Sequence, residues 1–227
     1  MSKFERTENL IGKENFKKIV NSKVIVFGVG GVGGYVVENL VRSGLGTLTI
    51  VDFDTVNETN LNRQIIALNS TLNMYKVDAF KNRILDINEN INLTCFKDKV
   101  CAENLDKFNL CSYDYVIDCI DSFKDKLALI DYCYKNNINI VSSMGAGNRY
   151  KLMNFEICDV FSTKNDALAR KLRLELKKLG VRKLDVVCSN TVSDNTFDKS
   201  RVLSISYMPS MCGVKLASFV INKIISK

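Results

Sequence analysis

Lys23-Val-Ile-Val-Phe-Gly28-Val-Gly30-Gly31-Val-Gly33 decides how the rest of this chain is read. Residues 24–27 are a short unbroken apolar run, the pattern of a strand buried on both faces. Glycines follow at once. Behind them Val36, Val37, Leu40 and Val41 recur at helical spacing until Gly44 or Gly46 offers a C-cap. A strand that turns through glycines into a helix makes a phosphate site. No Cβ blocks the backbone's approach to phosphate oxygens, and the helix N-terminus supplies free N–H groups and partial positive charge. Asp52, closing the next apolar run, stands where a carboxylate binds ribose hydroxyls. By itself the pattern says nucleotide, and a nicotinamide cofactor is its commonest reading.

Working outward, apolar runs at 48–51, 92–96, 115–120 and 138–142 read as further strands. Between them, 76–88 carries Val77, Phe80, Ile84 and Ile87 on one helical face. Strands alternating with helices imply right-handed crossovers and a parallel sheet. After Gly147 the pattern changes. Residues 155–160, 184–188 and 202–207 read as strands, with a helix between the first two on Leu168, Leu172, Leu176 and Leu179. The segment 189–199 is polar and aperiodic, hence a loop, and Pro209 suits the first turn of a last helix to about residue 225. The expected fold is α/β: a doubly wound, Rossmann-like, mostly parallel sheet extended by antiparallel strands in the C-terminal third. All 227 residues are expected to form a single domain.

Composition removes whole mechanisms. Histidine is absent, which excludes Ser-His-Asp and Cys-His catalysis and histidine-bound metals. The eight cysteines include no pair at CxxC spacing, and several lie in apolar runs where reduced thiols are simply buried. There is no apolar signal-peptide core at the N-terminus and no apolar run of the length a bilayer requires, so a cytoplasmic protein without membrane contact is expected. Net charge is +7, and seven cations against one Glu concentrate in 170–183. That run suits either a nucleic-acid backbone or a solvated helix face.

In a doubly wound sheet the strand C-termini converge on one crevice. Here they would deliver Gly28, Gly30, Gly31 and Gly33, then Asp52 and Asp54, then Asp118 and Asp121, then Ser142-Ser-Met-Gly-Ala-Gly147. Arg63, in Asn60-Leu-Asn-Arg-Gln64, and Lys76 can join them. A carboxylate with Arg and Lys around a phosphate cradle suits a nucleoside triphosphate with Mg²⁺ better than a dinucleotide.

Taken in order, these motifs resemble the ThiF/MoeB superfamily, the adenylating fold of ubiquitin-activating enzymes. The resemblance implies ATP binding by the glycine loop and ribose binding by Asp52. It also implies phosphate contacts from Asn60, Arg63 and Lys76, with Gln64 in the same nucleotide-binding set and Asp54 either joining it beside Asp52 or capping the turn. Asp121 would bind Mg²⁺ or position the acyl phosphate, so Arg63, Lys76 and Asp121 are the expected catalytic residues. Members are homodimers in which an N-terminal arginine reaches the partner subunit's site, here Arg6.

Within the superfamily the chain is similar to the tRNA threonylcarbamoyladenosine dehydratases. The residues that carry this are Arg6-Thr-Glu8 before Leu10-Ile-Gly12, Val29-Gly-Gly-Val-Gly33, Asn62-Arg-Gln64, Tyr115-Val-Ile-Asp118, Ser143-Met-Gly-Ala-Gly147, Leu168-Ala169 on a basic helix, and Met208-Pro-Ser210. That family uses ATP to activate the threonyl carboxylate of the modified adenosine beside the anticodon, and the carbamoyl group closes on the activated carbonyl with net loss of water. Such ring closure is intramolecular and needs no enzyme nucleophile, in keeping with the absent histidine. On this resemblance the basic run 170–183 is expected to contribute to contact with the RNA backbone. The resemblance leaves open a monovalent cation near the site and a sulfur- or electron-transfer protein partner. The main alternative is an adenylyltransferase activating the C-terminus of a ubiquitin-like sulfur carrier, which the missing zinc cysteines disfavour. An NAD oxidoreductase would leave Arg63, Lys76 and Asp121 unexplained, and a non-catalytic tRNA-binding scaffold would leave an intact site without use.

Overall fold

The computed structural model describes residues 2–151, 154–192 and 202–227. Seven strands form one sheet: β1 (Lys23–Phe27), β2 (Thr47–Val51), β3 (Asn92–Phe96), β4 (Tyr115–Asp118), β5 (Ile140–Ser143), β6 (Glu156–Asp159) and β7 (Asp185–Cys188). Their order is β3-β2-β1-β4-β5-β7-β6, parallel except for the β6–β7 pair. The antiparallel extension expected after Gly147 is therefore the edge strand β6, while β7 keeps the parallel sense.

Both faces of the sheet are covered. Val24 and Val26 of β1 face one core with α3 (Gly33–Arg42), α4 (Lys76–Ile87) and α7 (Tyr207–Ile225). Ile25 and Phe27 face another with α5 (Phe123–Lys135) and the 102–112 segment. Alternate side chains of a strand point to opposite faces, so an unbroken apolar run is what a two-sided burial demands. A third cluster lies under α6 (Ala167–Lys178), which buries Ala169, Leu172 and Leu176. The helices α1 (Glu5–Ile11) and α2 (Lys13–Asn21) lie before β1, with α2 packing beside α7.

α7 is, among the described residues, the one helix long and apolar enough by composition to cross a bilayer. It is spent on the core instead. Met208, Cys212, Leu216, Val220 and Ile224 are buried, with Lys215 and Lys223 outside. Gly213 lets it approach α3: a Cβ there would stand 2.3 Å from the Val32 carbonyl oxygen.

One expected strand does not form. Of 202–207, residues 202–205 take no regular secondary structure among the described residues, Ser206 is the helical N-cap at φ −52° and ψ −46°, and Tyr207 already belongs to α7. The alternation Val202, Ser204 and Ser206 against Leu203, Ile205 and Tyr207 mimics a half-buried strand. Here, however, Val202, Leu203 and Ile205 are exposed, and the segment is tied to a loop. Asn148 N–H donates to the Leu203 carbonyl and Leu203 N–H to Asn148 Oδ1, both at 2.7 Å. One asparagine satisfies a donor and an acceptor that a ladder would otherwise have to pair. The expected loop 189–199 lies beyond residue 192 outside the described residues.

Candidate active site

Sheet order reverses between β1 and β4, and the crevice at that switch point receives the glycine loop. Gly28, at φ +81°, brings its own backbone against that of Cys119, where a Cβ would meet the carbonyl oxygen at 2.8 Å. Gly33 would place a Cβ 1.8 Å from the Gly28 carbonyl oxygen. These two glycines are required by close backbone packing. Gly30 and Gly31 face side chains instead: the Gly30 Cβ position is 3.6 Å from Gln64 Nε2, and that of Gly31 is 3.2 Å from Pro209 and 3.6 Å from Arg63 Cγ. The loop thus divides into a structural pair and a pair that lines the mouth.

Asp52 pins this loop. Its Oδ2 accepts Val29 N–H at 2.8 Å and its Oδ1 accepts Asp54 N–H at 2.9 Å. Burial raises the carboxyl above its ordinary range; Lys76 and the two N–H donors only partly offset it. Lys76, almost wholly buried at the start of α4, holds Asp54 at 2.7 Å, and its N–H donates to the Asp54 carbonyl at 2.9 Å. Asp54 is therefore the carboxylate that fixes the Lys76 ammonium.

The 60–64 turn supplies three more groups. Asn60 is buried and accepts Asn57 N–H at 3.2 Å, leaving its NH2 for a ligand. Arg63 is folded onto its own turn, donating to the Thr59 carbonyl at 2.8 Å and to Asn62 Oδ1 at 2.9 Å. Gln64 is buried beside Gly30, and its Oε1 has no hydrogen-bond partner among the described residues. An orphaned buried amide at the lip of a glycine loop fits a ligand that supplies the missing bond, since rotation presents either its oxygen or its NH2. Asn62 Nδ2 donates to the Ser204 carbonyl at 3.1 Å, so the 202–206 segment runs along the same lip.

Asp121 lies in the turn between β4 and α5, is exposed, and engages no side chain or backbone group among the described residues. No cluster of three metal-binding side chains is found among the described residues, so a cation here would rest on one carboxylate and its own ligand. Arg6 is not brought to this crevice by its own chain. It lies on α1, whose neighbour Phe4 packs against Gly44 at the far end of α3.

Two buried groups escaped the sequence reading. Lys126 is fully enclosed and binds Asp118 at 2.7 Å, Ser142 Oγ at 3.1 Å and the Ser143 carbonyl at 3.2 Å. Ser142 donates to the same Asp118 oxygen at 2.6 Å. This network ties β4, β5 and α5 directly beneath the crevice. A visible signal existed: Lys126 shares a helical stripe with Leu129, Ile130 and Cys133, where a lysine is out of place unless paired. Arg149 is also buried. It donates to the Thr191 carbonyl and to the Asn165 carbonyl at 3.3 Å, clasping the loop after β5 to the segments around 165 and 191. Nothing in local spacing announced it.

The thiols nearest the site are poor nucleophiles. Burial pushes Cys119 well up and Cys212 to about 12, so both stay protonated at neutral pH.

The model of the ThiF family matches residues 4–226. A tRNA threonylcarbamoyladenosine dehydratase from Bacillus subtilis is 42% identical over 183 residues, 81% of this chain and 72% of that protein. Among solved structures, the tRNA N6-threonylcarbamoyladenosine dehydratase of Escherichia coli in complex with AMP superposes with a TM-score of 0.92 at 31% identity, covering 99% of this chain and 94% of the other. The same enzyme in complex with ATP gives 0.91 at the same identity and coverage.

Proposed function

The chain belongs to the ThiF family, and from that premise we propose that it catalyses ATP-dependent dehydration of threonylcarbamoyladenosine next to the anticodon of tRNA. The observation that carries the reading is the superposition on the AMP- and ATP-bound dehydratase, made across nearly the whole chain. The local chemistry agrees. A carboxylate is a poor electrophile because its oxygen leaves badly. In the reading, the threonyl carboxylate attacks the α-phosphorus of ATP and pyrophosphate leaves. The carbamoyl group then closes on the acyl carbon and AMP departs with the former carboxylate oxygen.

Each residue has a task in that sequence. Gly30 and Gly31 admit the phosphates to the N-terminus of α3. Asp52 holds the loop in shape and is the ribose carboxylate. Lys76, Arg63, Asn60 and Gln64 surround the phosphate chain, and the two cations stabilise charge that grows on it as pyrophosphate leaves. Arg63 must swing off Thr59 and Asn62 to do so. Asp121 is the carboxylate for Mg²⁺, which would neutralise phosphate charge. Ring closure gains its rate from proximity, so no thiol is called upon. The same reading makes the chain one adenylating domain and a homodimer, with Arg6 serving the partner subunit's site.

Nucleoside mass spectrometry of threonylcarbamoyladenosine-bearing tRNA, incubated with protein, Mg²⁺ and ATP, tests this. A product lighter by one water and formed only with ATP is expected, with AMP and pyrophosphate released in equal amounts. Intact nucleoside alongside bound ATP would transfer the assignment to adenylation of a sulfur-carrier C-terminus.

A further inference from the structure

α6 is basic along its length, yet its two ends lie at opposite ends of the sheet. Its N-cap, Asp166, accepts Gly145 N–H at 3.0 Å, in the loop leaving β5, so the helix starts at the level of the crevice. Twelve helical residues then descend about 18 Å. The chain re-enters the sheet at Asp185, the first residue of β7, which runs parallel to β5. Arg182 and Lys183 consequently sit at the edge where strands begin, away from the glycine loop.

Pairing of the charges follows this division in part, since only the far end holds cations paired to carboxylates. At the crevice end Lys164, Arg170 and Lys171 are exposed, as is Lys124 in the first turn of α5. Lys171 Nζ stands 4.2 Å from the centre of the Phe123 ring, two residues beyond Asp121, so α5 and α6 present their cations along one rim. Among the described residues none of these four forms an ion pair. At the far end Lys178 is 2.8 Å from Glu175 and Lys183 is 3.7 Å from Asp185, while Lys177 and Arg182 form no ion pair among the described residues.

We propose that Lys124, Lys164, Arg170 and Lys171 form the contact surface for the RNA backbone, and that the far group Lys177, Lys178, Arg182 and Lys183 does not. This rests on the tRNA reading above. For the carboxylate of an anticodon-loop nucleotide to enter the crevice, the phosphates on either side must lie at its rim, within reach of side chains there. An unpaired cation gains the full benefit of releasing the RNA's counterions, whereas one already paired to a carboxylate gains less.

Two variants test the surface, each replacing one group of four with Gln, so that both carry the same net charge. Binding of threonylcarbamoyladenosine-bearing tRNA is measured across a salt titration, with ATP affinity and melting temperature as controls. The rim variant is expected to bind roughly tenfold or more weakly at about 0.15 M salt, with a log–log salt slope shallower by about 3. The far variant should stay within about twofold of the parent. Equal weakening of both, or weakening of the far variant alone, overturns the surface while leaving the dehydratase reading intact. A parent chain that binds ATP but no tRNA overturns both.

Discussion

Asp118 and Lys126 meet at 2.7 Å with neither side chain reaching solvent, whereas Asp121, three residues on, is exposed and engages no group among the described residues. The difference predicts opposite phenotypes from neighbouring carboxylates. Lys126→Met leaves a buried anion that keeps, among the described residues, the Ser142 hydroxyl and Ile120 N–H alone, so it should lose about 3–5 kcal/mol in denaturant titration. Adding Asp118→Asn should return most of that loss, because the charge disappears and one carbonyl acceptor stays. A double variant as unstable as the single would show that packing, and not the unpaired charge, sets the cost. Asp121→Asn should instead keep the parent's melting temperature and lose dehydration by about a hundredfold or more, the scale on which removing one group that stabilises transition-state charge is felt. Retained turnover in that variant would remove Asp121 from the chemistry.

At the scale of elements, α3 and α4 are joined by one carboxylate. Glu38 takes Arg83 in a two-pronged bond, Nε at 2.7 Å and Nη2 at 2.9 Å, and Arg42 of its own helix at 2.7 Å. Burial pushes its carboxyl up, but Arg83 and Arg42 together outweigh this and hold it below its ordinary value. A folded-state value below the unfolded one contributes stability at neutral pH that disappears as pH falls through the folded value. Glu38→Gln should therefore cost about 1 kcal/mol at pH 7, since both arginines are partly solvated. The gap between variant and parent should close below about pH 4, read from urea midpoints across pH. A gap that is constant with pH would mean shape, not charge, joins the helices. Elements like α3 were legible in the sequence because burial on a regular face leaves a period: Val36, Val37, Leu40 and Val41 for the helix, 24–27 for β1. The false strand at 202–207 had the right period and the wrong partner. Alternation records which side chains could face a core, while Asn148 and Gly147 decide that this stretch lies along the crevice lip. The glycine loop and its aspartates could likewise be read because spacing along the chain fixes them. The Arg149 clasp could not, since it joins segments that only the finished fold brings together.

At the scale of the whole molecule, the position of Arg6 calls for a second chain if it is to act. Phe4 packs on Phe16, both close on Gly44, and Lys3 pairs with Glu89 beyond the end of α4. All of these lie at the strand-start end, separated from the glycine loop by the length of α3, ten residues or about 15 Å. On the same short helix Leu10 is 84% exposed. In a closed two-fold dimer each N-terminal helix would lie on the other subunit, and Arg6 would complete a site that its own chain cannot. Mixing two inactive proteins distinguishes the arrangements. Arg6→Ala and Asp121→Asn should each be inactive alone. In a mixed dimer the Arg6→Ala subunit keeps its own Asp121 and receives a native arginine, so one of its two sites is whole. Random exchange makes half the dimers mixed, and activity should return to about one quarter of the parent's. If native mass spectrometry shows mixed dimers and dehydration stays absent, Arg6 does not act across subunits. The N-terminal helix would then have to reach the crevice of its own chain, against the packing of Phe4 and Lys3.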